Sequence, residues 1–327
     1  MFIKVNNKDY ADAVAIITSE LKKENLKFYT HNNVIAVFSS KVTKLPDDID
    51  ISIIEDNGVP YLASRILHPE NTVIKTPHNK IGDGSFVFMG GPCSVESKEH
   101  ILKMAKLIKN SGATVLRGGA FKPRTSPYSF QGLGIDGLKY MREAADKYGL
   151  DVITEVMDET NLPIVAKYAD ILQVGARNMQ NFSLLKAIGK TNKPVALKRG
   201  MSATIDDLLN ASEYIASEGN KNIMLVERGI RTFDNTYTRN TFDLAAVSVL
   251  KELTHYPIIV DPSHAVGVAN LVTKLMLTGA ATDADGEIVE VHDCPEKALS
   301  DGQQAVLPDD FDKAIKIALK LHNIYMG

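Results

Sequence analysis

From about residue 85 to the C-terminus, short apolar runs alternate with longer segments whose apolar residues recur at every third or fourth position. The short runs are typical of buried parallel strands, and the wider spacing is typical of amphipathic helices. The strand-like runs are Phe86–Met89, Thr114–Leu116, Val152–Glu155, Ile171–Val174, Pro194–Leu197, Ile223–Val226, Ile258–Val260 and Glu287–Val289. Eight strand–helix units predict an α/β protein with a closed (β/α)₈ barrel, the TIM barrel, although the pattern also fits an open doubly wound sheet.

The first 75 residues carry a different pattern. Its predicted elements are a strand at Phe2–Val5, a helix at Tyr10–Glu24, a hairpin of Phe28–Thr30 with Val34–Ser39, and a strand at Ile51–Glu55. This is most of a βαββαβ ferredoxin-like module, but little room remains for a second helix between Lys41 and Asp50. We therefore expect a small α+β domain over residues 1–75, truncated in its second helix, and a barrel domain over residues 76–327.

The amino-acid composition excludes several classes of protein. The hydrophobic share of 44% and the charged share of 24% are ordinary for a globular protein. No apolar run reaches the roughly 18 residues of a membrane span, and Met1–Asn6 is polar too soon for a signal peptide. The formal net charge of -3 argues against nucleic-acid binding, and two cysteines are too few for a disulfide framework. We therefore expect a cytoplasmic protein that binds neither membranes nor nucleic acids.

Charged and metal-binding residues follow the carboxyl ends of all eight runs. In a TIM barrel the loops that follow the strands meet at one face, where active sites form. The residues concerned are Cys93, Arg117, Lys122, Arg124, Glu155, Arg177, Lys198, Arg199, Arg228, His264, Glu290 and Asp301. Taken singly, each has an ordinary explanation, because a lone cysteine is usually a small buried hydrophobe and single cations are usually solvated. Their convergence at one end of the strands predicts an active site.

Two chemistries separate within this set. Cys93, His264, Glu290 and Asp301 combine thiolate, imidazole and carboxylate, a mixture that suits one divalent ion such as Mn²⁺, Fe²⁺, Co²⁺ or Zn²⁺ with an open coordination position. The arginine and lysine side chains supply more positive charge than one carboxylate needs, which predicts phosphate and carboxylate ligands. The sequence lacks a Walker-type phosphate loop, so a nucleotide is not expected.

Several motifs resemble those of the 3-deoxy-7-phosphoheptulonate (DAHP) synthases, in their type Iβ branch. They are Gly91–Glu96, Arg117–Pro127, Val174–Asn178, Asp261–His264, Glu290–His292 and Ala298–Gln304. The resemblance covers residues 85–325, and residues 1–75 resemble the ferredoxin-like regulatory domain of some members. It implies a metal-dependent, aldol-like condensation of phosphoenolpyruvate with D-erythrose 4-phosphate and water to DAHP and phosphate. That reaction is the first step of the shikimate pathway to chorismate and the aromatic amino acids.

The resemblance also implies roles for individual residues. It implies a metal site of Cys93, His264, Glu290 and Asp301. It places phosphoenolpyruvate on Arg117, Lys122, Arg177, Lys198, Arg228 and the backbone of Gly175 and Ala176, and erythrose 4-phosphate on Lys122, Pro123, Arg124 and Thr125. Lys122 would protonate the developing alkoxide, while Glu155 and Lys198 orient water. A homo-oligomer, favoured as a tetramer, and a tyrosine or phenylalanine effector at the N-terminal domain are further implications.

Two rival functions and one regulatory hypothesis stay open at this point. The sister enzyme KDO 8-phosphate synthase shares the barrel but usually carries Ala-Asn-Arg-Ser-Ser where this chain has Pro123–Pro127. A catalytically silent, effector-binding barrel is the second alternative, and the intact ligand quartet argues against it. Cys294 lies between Glu290 and Asp301, either as a chance loop cysteine or as a partner for a reversible disulfide with Cys93 after metal loss.

Overall fold

The computed structural model describes residues 1–39, 42, 44–56, 58, 60–122, 126 and 128–326. The chain divides into two units. One consists of Met1–Asn71 with Glu252–His255, and the other of Thr72–Lys251 with Tyr256–Gly327. Each unit has its own buried apolar cluster, so each is described by itself.

The smaller unit is an antiparallel sheet covered by one helix. Its elements are β1 (Phe2–Val5), α1 (Tyr10–Lys23), β2 (Phe28–His31), β3 (Val34–Val37) and β4 (Ile51–Ile54). The strand order β2-β3-β1-β4 is that of a ferredoxin-like sheet, which confirms the predicted fold class. Ile17 and Leu21 of α1 are fully buried against Ile3 and Ile35 of the sheet. Between β3 and β4 the described residues form no helix, as the short spacing predicts.

Eight parallel strands close into a barrel in the larger unit. A two-stranded hairpin of β5 (Ile74–Lys75) and β6 (Lys80–Ile81) precedes them. The barrel strands are β7 (Val87–Gly91), β8 (Val115–Arg117), β9 (Asp151–Glu155), β10 (Ile171–Val174), β11 (Val195–Lys198), β12 (Ile223–Glu227), β13 (Ile258–Val260) and β14 (Gly286–Glu290). Each strand pairs with its chain neighbour, and β14 pairs with β7. The closed barrel is therefore confirmed, and the open sheet is excluded.

Helices follow the barrel strands. They are α2 (Lys98–Ser111), α3 (Ile135–Tyr148), α4 (Leu162–Tyr168), α5 (Phe182–Gly189), α6 (Ile205–Ala216), α7 (Ala245–Leu253), α8 (Pro262–Val266), α9 (Ala269–Ala280) and α10 (Pro308–Met326), with short 3₁₀ helices at Ala176–Asn178, Pro295–Lys297 and Gly302–Gln304. Local signals set their ends: the Ser97 side chain accepts the His100 N–H at the start of α2, and Gly112 ends that helix at φ 102°. Among the described helices, none is long and apolar enough to cross a membrane.

The barrel interior is filled, which leaves one end for chemistry. Met89, Ile153 and Met224 belong to a buried cluster that also contains Ile74 and Ile81 of the β5–β6 hairpin. The hairpin is held at the amino end of β9, where Asp151 accepts hydrogen bonds from the His78 N–H at 3.2 Å and the Asn79 amide at 2.5 Å. Because the amino end is covered in this way, the carboxyl ends of the strands are available for ligands.

One fully buried carboxyl group in this unit has no hydrogen-bond partner. Glu287 of β14 is 0% exposed, and neither side-chain oxygen has a partner among the described residues. A Cβ built at Gly279 of α9 would lie 2.6 Å from its Oε1, so the carboxyl lies against that helix. Burial raises the pKa of Glu287 well above its usual value. The group is therefore buried in its neutral form.

We expect Glu287→Met to stabilise the barrel more at pH 8 than at pH 5. A carboxyl whose pKa is raised on folding contributes stability below its unfolded pKa, and that stability is lost as pH rises toward the folded pKa. Thermal unfolding at both pH values measures the difference. Glu159→Met, which changes an exposed glutamate, should leave the pH dependence as it is. A larger loss of melting temperature for Glu287→Met at pH 8 than at pH 5 would contradict this account.

Candidate active site

A cavity of about 880 Å³ opens at the carboxyl ends of the barrel strands. Its cationic lining residues are Arg117, Lys122, Arg177, Lys198, Arg228, Arg231 and Arg239. The acidic residues among the described lining are Glu155 and Asp301. Among the described lining residues, seven cations against two carboxylates leave an excess of positive charge, which suits a ligand that carries several negative charges.

A thiol and two carboxylates meet beside this cavity. Cys93 follows β7, Glu290 ends the neighbouring strand β14, and Asp301 precedes the 3₁₀ helix Gly302–Gln304. One ligand atom from each lies within 4.8 Å of the others, and the Cys93 Sγ is 3.4 Å from an Asp301 oxygen. Burial and the charge of Glu290 raise the pKa of Cys93 to about 11. Because so much negative charge gathers in a buried place, this donor set fits a borderline divalent cation, which would favour the thiolate.

His264 adds an imidazole to this group. Asp261 caps the start of α8, and its carboxylate accepts from the His264 backbone N–H at 3.0 Å and lies 2.8 Å from the ring Nδ1. The ring Nε2 therefore faces Glu290, 3.4 Å from its Oε1. Burial lowers the pKa of His264 although Asp261 opposes it, so the ring is a neutral donor. His264 is not among the donors within 4.8 Å of one another and reaches the cluster through Glu290.

Buried cations lie against these donors. Arg117 donates to the Pro92 carbonyl at 2.8 Å and to Glu290 at 3.0 Å, and its buried Nε has no hydrogen-bond partner among the described residues. The Lys122 ammonium is 3.1 Å from the Cys93 Sγ. Burial alone would lower the pKa of Lys122, but Cys93 and Glu290 outweigh it and raise that pKa. Lys122 is therefore a charged proton donor at neutral pH.

Glu155 is held at the cavity wall by a close approach to the backbone. A Cβ added at Gly175 would lie 2.1 Å from the Glu155 Oε1, so a larger residue at this position would displace the carboxylate. Gly175, Ala176 and Arg177 line the cavity beside this carboxylate. Lys198, at the end of β11, lines the same cavity, and its ammonium donates to Asp261 at 2.6 Å. A carboxylate and an ammonium thus border one cavity.

The structure does not use every cation that the sequence singled out. Arg199 pairs with Glu227 at 2.9 Å and Asp243 at 2.8 Å and does not line the cavity. Successive residues of a strand point to opposite faces, so Lys198 at the end of β11 and the next residue diverge. Pro123, Arg124 and Thr125, which the family resemblance assigns to the second substrate, lie outside the described residues.

Other cavity residues were missed by sequence reasoning. Arg231, Arg239 and Asn240 lie in the loop after β12 and line the cavity, and Arg239 is 3.6 Å from Asp301. They are separated from the strand end by several residues, so the rule of looking directly after each strand does not find them. A basic residue on any loop that follows a barrel strand is the signal that would have found the two arginines.

One carboxylate ties together the loops that carry the metal-type donors. Glu96, three residues after Cys93, accepts the Leu299 N–H at 2.7 Å and lies 3.3 Å from the His292 Nε2. The other His292 ring nitrogen accepts the Cys294 N–H at 2.9 Å, so Nε2 carries the proton of the neutral ring and donates it to Glu96. Glu96 therefore positions the segment that leads to Asp301.

The thiol of Cys294 and the thiol of Cys93 donate hydrogen bonds to different carboxylates. Cys294 is a free cysteine whose Sγ donates to Glu296 at 3.1 Å, while Cys93 donates to Asp301 at 3.4 Å. A disulfide between Cys93 and Cys294 after metal loss stays a prediction.

Comparison with known proteins gives a consistent result. Residues 69–325 match the DAHP synthetase I family. The chain is 54% identical to the phospho-2-dehydro-3-deoxyheptonate aldolase of Thermotoga maritima over 263 residues, which are 80% of this chain and 78% of the relative. It is 32% identical to the 2-dehydro-3-deoxyphosphooctonate aldolase of Fusobacterium nucleatum over 264 residues, 75% of this chain and 94% of the relative. The sequence identity to the heptonate aldolase is therefore much higher than the identity to the octonate aldolase.

Solved structures agree with the sequence relatives. The crystal structure of phospho-2-dehydro-3-deoxyheptonate aldolase (DAHP synthase) from Thermotoga maritima covers 99% of this chain and 97% of its own, with TM-score 0.81 and 44% identity. A truncated form of 3-deoxy-D-arabino-heptulosonate 7-phosphate synthase from the same organism covers 81% of this chain and 97% of its own, with TM-score 0.76 and 49% identity. At 44% and 49% identity, the chain resembles these two structures in its sequence as well as in its fold.

We expect Glu96→Ala to weaken divalent-cation binding at the Cys93 cluster by about 10- to 100-fold, the usual effect of losing a group that orients metal ligands. The backbone that leads to Asp301 would lose its anchor, while the barrel core is untouched. Calorimetric titration of the metal-free protein with Mn²⁺ measures the affinity. Glu99→Ala removes an exposed carboxylate from the same segment and should bind like the wild type. Equal affinities for both variants would remove Glu96 from this role.

Proposed function

Because the chain belongs to the DAHP synthetase I family, we propose that its barrel is a 3-deoxy-7-phosphoheptulonate synthase. This transferase condenses phosphoenolpyruvate with D-erythrose 4-phosphate and water to DAHP and phosphate, and so begins the route to the aromatic amino acids. The observation that carries the proposal is the cavity with seven cationic lining residues, bordered by the thiol, imidazole and carboxylate cluster. A substrate with a phosphate and a carboxylate, next to a carbonyl that meets a metal, uses both features.

Phosphoenolpyruvate lies at the cationic wall of the cavity. Its phosphate and carboxylate contact Arg117, Lys122, Arg177, Lys198, Arg228 and the backbone of Gly175 and Ala176. This assignment is supported by the Nε of Arg117, which has no hydrogen-bond partner within the described part of the chain, since a buried guanidinium donor is costly unless a ligand accepts from it. Arginine also suits phosphate and carboxylate, because its planar fork donates to two oxygens at once.

The metal site consists of Cys93, His264, Glu290 and Asp301, with Mn²⁺, Fe²⁺, Co²⁺ or Zn²⁺ as the ion. Members of the family depend on a metal, and the close approach of three of these donors supports the assignment. Lewis acidity toward the aldehyde oxygen of the sugar phosphate is the chemistry that such an ion supplies when it is bound.

The side chains of the cavity carry the proton transfers. C3 of phosphoenolpyruvate attacks the aldehyde carbon, and the Lys122 ammonium donates a proton to the oxygen that develops negative charge. The raised pKa of Lys122 supports this role, because the proton is present at neutral pH. Glu155 and Lys198 orient the water that adds at C2, and phosphate then leaves the tetrahedral centre. The arginines hold the phosphate and carboxylate fixed throughout, so orientation is retained between the steps.

The acceptor sugar separates this function from that of the octulosonate enzymes. Erythrose 4-phosphate is assigned to Lys122, Pro123, Arg124 and Thr125, of which only Lys122 is among the described residues. The higher identity to the heptonate aldolase than to the octonate aldolase, 54% against 32%, supports erythrose 4-phosphate as the acceptor.

We expect phosphoenolpyruvate to be consumed about 100-fold faster with erythrose 4-phosphate than with arabinose 5-phosphate, because the two acceptors differ in groups that a polar site recognises. Chelation should abolish the reaction, and Mn²⁺ should restore it in the wild type but not in Cys93→Ser, where a neutral hydroxyl replaces the thiolate. Loss of phosphoenolpyruvate absorbance and release of phosphate measure turnover. A preference for arabinose 5-phosphate, or full activity after chelation, would overturn the proposal.

The N-terminal sheet unit serves regulation in this proposal. A ferredoxin-like module outside the catalytic cavity is a suitable place for an aromatic amino acid, tyrosine or phenylalanine, to act as a feedback effector. A homo-oligomer, with a tetramer as the favoured form, is the assembly that we propose for the chain.

We expect removal of residues 1–71 to leave an active barrel that has lost any inhibition by tyrosine or phenylalanine shown by the full chain. The cut lies before Ile74, because Ile74 is fully buried within the barrel core. Initial rates with and without each amino acid, for both forms, measure the effect. Inhibition that persists in the truncated protein would move the effector site into the barrel.

A further inference from the structure

Three imidazole rings stack in the smaller unit. The ring centroids of His31 and His68 are 4.0 Å apart, and those of His68 and His255 are 4.3 Å apart. His31 ends β2, His68 lies in the segment after β4, and Glu70 follows two residues later. None of these residues has a part in the function proposed above.

Three groups in this stack are arranged as metal donors. One ring nitrogen of His31, one of His68 and one carboxylate oxygen of Glu70 lie within 4.8 Å of one another. The His31 Nε2 is 3.3 Å from the Glu70 Oε2. Ligands of a tetrahedral ion with bonds of about 2.0–2.2 Å are about 3.3–3.6 Å apart. One pair is therefore already at coordination spacing, and the His68 ring must move toward the other two donors for all three to bind one ion.

The hydrogen bond of the His68 ring leaves its other nitrogen available to bind a metal ion. Its Nδ1 lies 2.7 Å from the Glu70 backbone carbonyl. A ring that donates from Nδ1 to a carbonyl keeps the lone pair on Nε2, which is the arrangement of most metal-binding histidines. His255 packs behind His68, and its Nε2 lies 2.8 Å from the Leu62 carbonyl.

The donors are accessible to an ion from solution. The side chains of His31 and His68 are each 26% exposed, and that of Glu70 is 62% exposed. An ion bound there would keep one or more water ligands. Two imidazoles and one carboxylate suit Zn²⁺, Co²⁺ or Ni²⁺ and disfavour Mg²⁺ or Ca²⁺, which prefer oxygen ligands.

We propose that His31, His68 and Glu70 form a second divalent-metal site, on the N-terminal unit, for a borderline ion of the Zn²⁺ type. The ion cross-links β2 to the segment that contains His68, and it stabilises this unit when bound because the unfolded chain lacks the preformed donors. The site does not depend on the function proposed for the barrel.

The test counts bound Co²⁺ on the full-length, metal-free protein and records its absorption. Coordination by the Cys93 thiolate adds a charge-transfer band in the near ultraviolet, which a site of nitrogen and oxygen donors lacks. We expect two equivalents on the wild type and one on Cys93→Ser, without the band. His31→Asn and Glu70→Gln should each bind one equivalent, with the band retained. His78→Asn changes an exposed histidine outside the cluster and should bind two.

Two results would overturn the proposal. The first is binding to Glu70→Gln equal to that of the wild type; Glu70 is exposed, so its loss does not endanger folding. The second is a wild type that binds one equivalent, which Cys93→Ser abolishes. A failure of the barrel function has a different signature, since it would remove the thiolate band and leave the ion at His31, His68 and Glu70. As a second readout, Zn²⁺ should raise the melting temperature of Cys93→Ser and leave that of Cys93→Ser with Glu70→Gln unchanged.

Discussion

The carboxylate of Glu290 is buried at the closing edge of the barrel, and an isolated charge in such a place would be too costly to keep. Its neighbours remove the cost: Arg117 at 3.0 Å, the Gln304 amide at 2.7 Å and the His264 ring at 3.4 Å. These partners come from widely separated parts of the chain. They hold Arg117 and His264 where the cavity and the cluster need them, so the pairing of one charge organises the site.

Barrel closure explains why these partners meet. β14 pairs with β7 in a register that sets Glu290 opposite Gly91, two residues before Cys93. The Ser263 hydroxyl accepts the Glu290 backbone N–H at 2.9 Å, so the loop after β13 is fixed to the end of β14. His264 follows that serine directly. Strand pairing and a buried hydrogen bond thus bring donors from three loops to one place before any ligand is present.

The two candidate metal sites differ in what their surroundings favour. The cluster of Cys93, Glu290 and Asp301 is enclosed, contains a thiol and borders a cationic cavity, which suits an ion that acts on a bound substrate. The cluster of His31, His68 and Glu70 is partly exposed and has no thiol, which suits an ion that cross-links two segments. Burial and donor type, more than the number of donors, separate a catalytic role from a structural one.

The sequence alone determined the eight strand–helix units, the N-terminal sheet with its single helix, and the strand-end positions of Cys93, Lys122, His264 and Glu290, while the pairing of β14 with β7 decided that the sheet closes into a barrel. The sequence could do so because apolar periodicity and strand-end position are local properties of the chain. Tertiary structure alone decided that Arg199 turns away to Glu227, that Arg239 returns to Asp301, and that His31 stacks on His68. These contacts join residues that are distant in sequence, and their distances depend on side-chain direction and loop path, which no local pattern encodes.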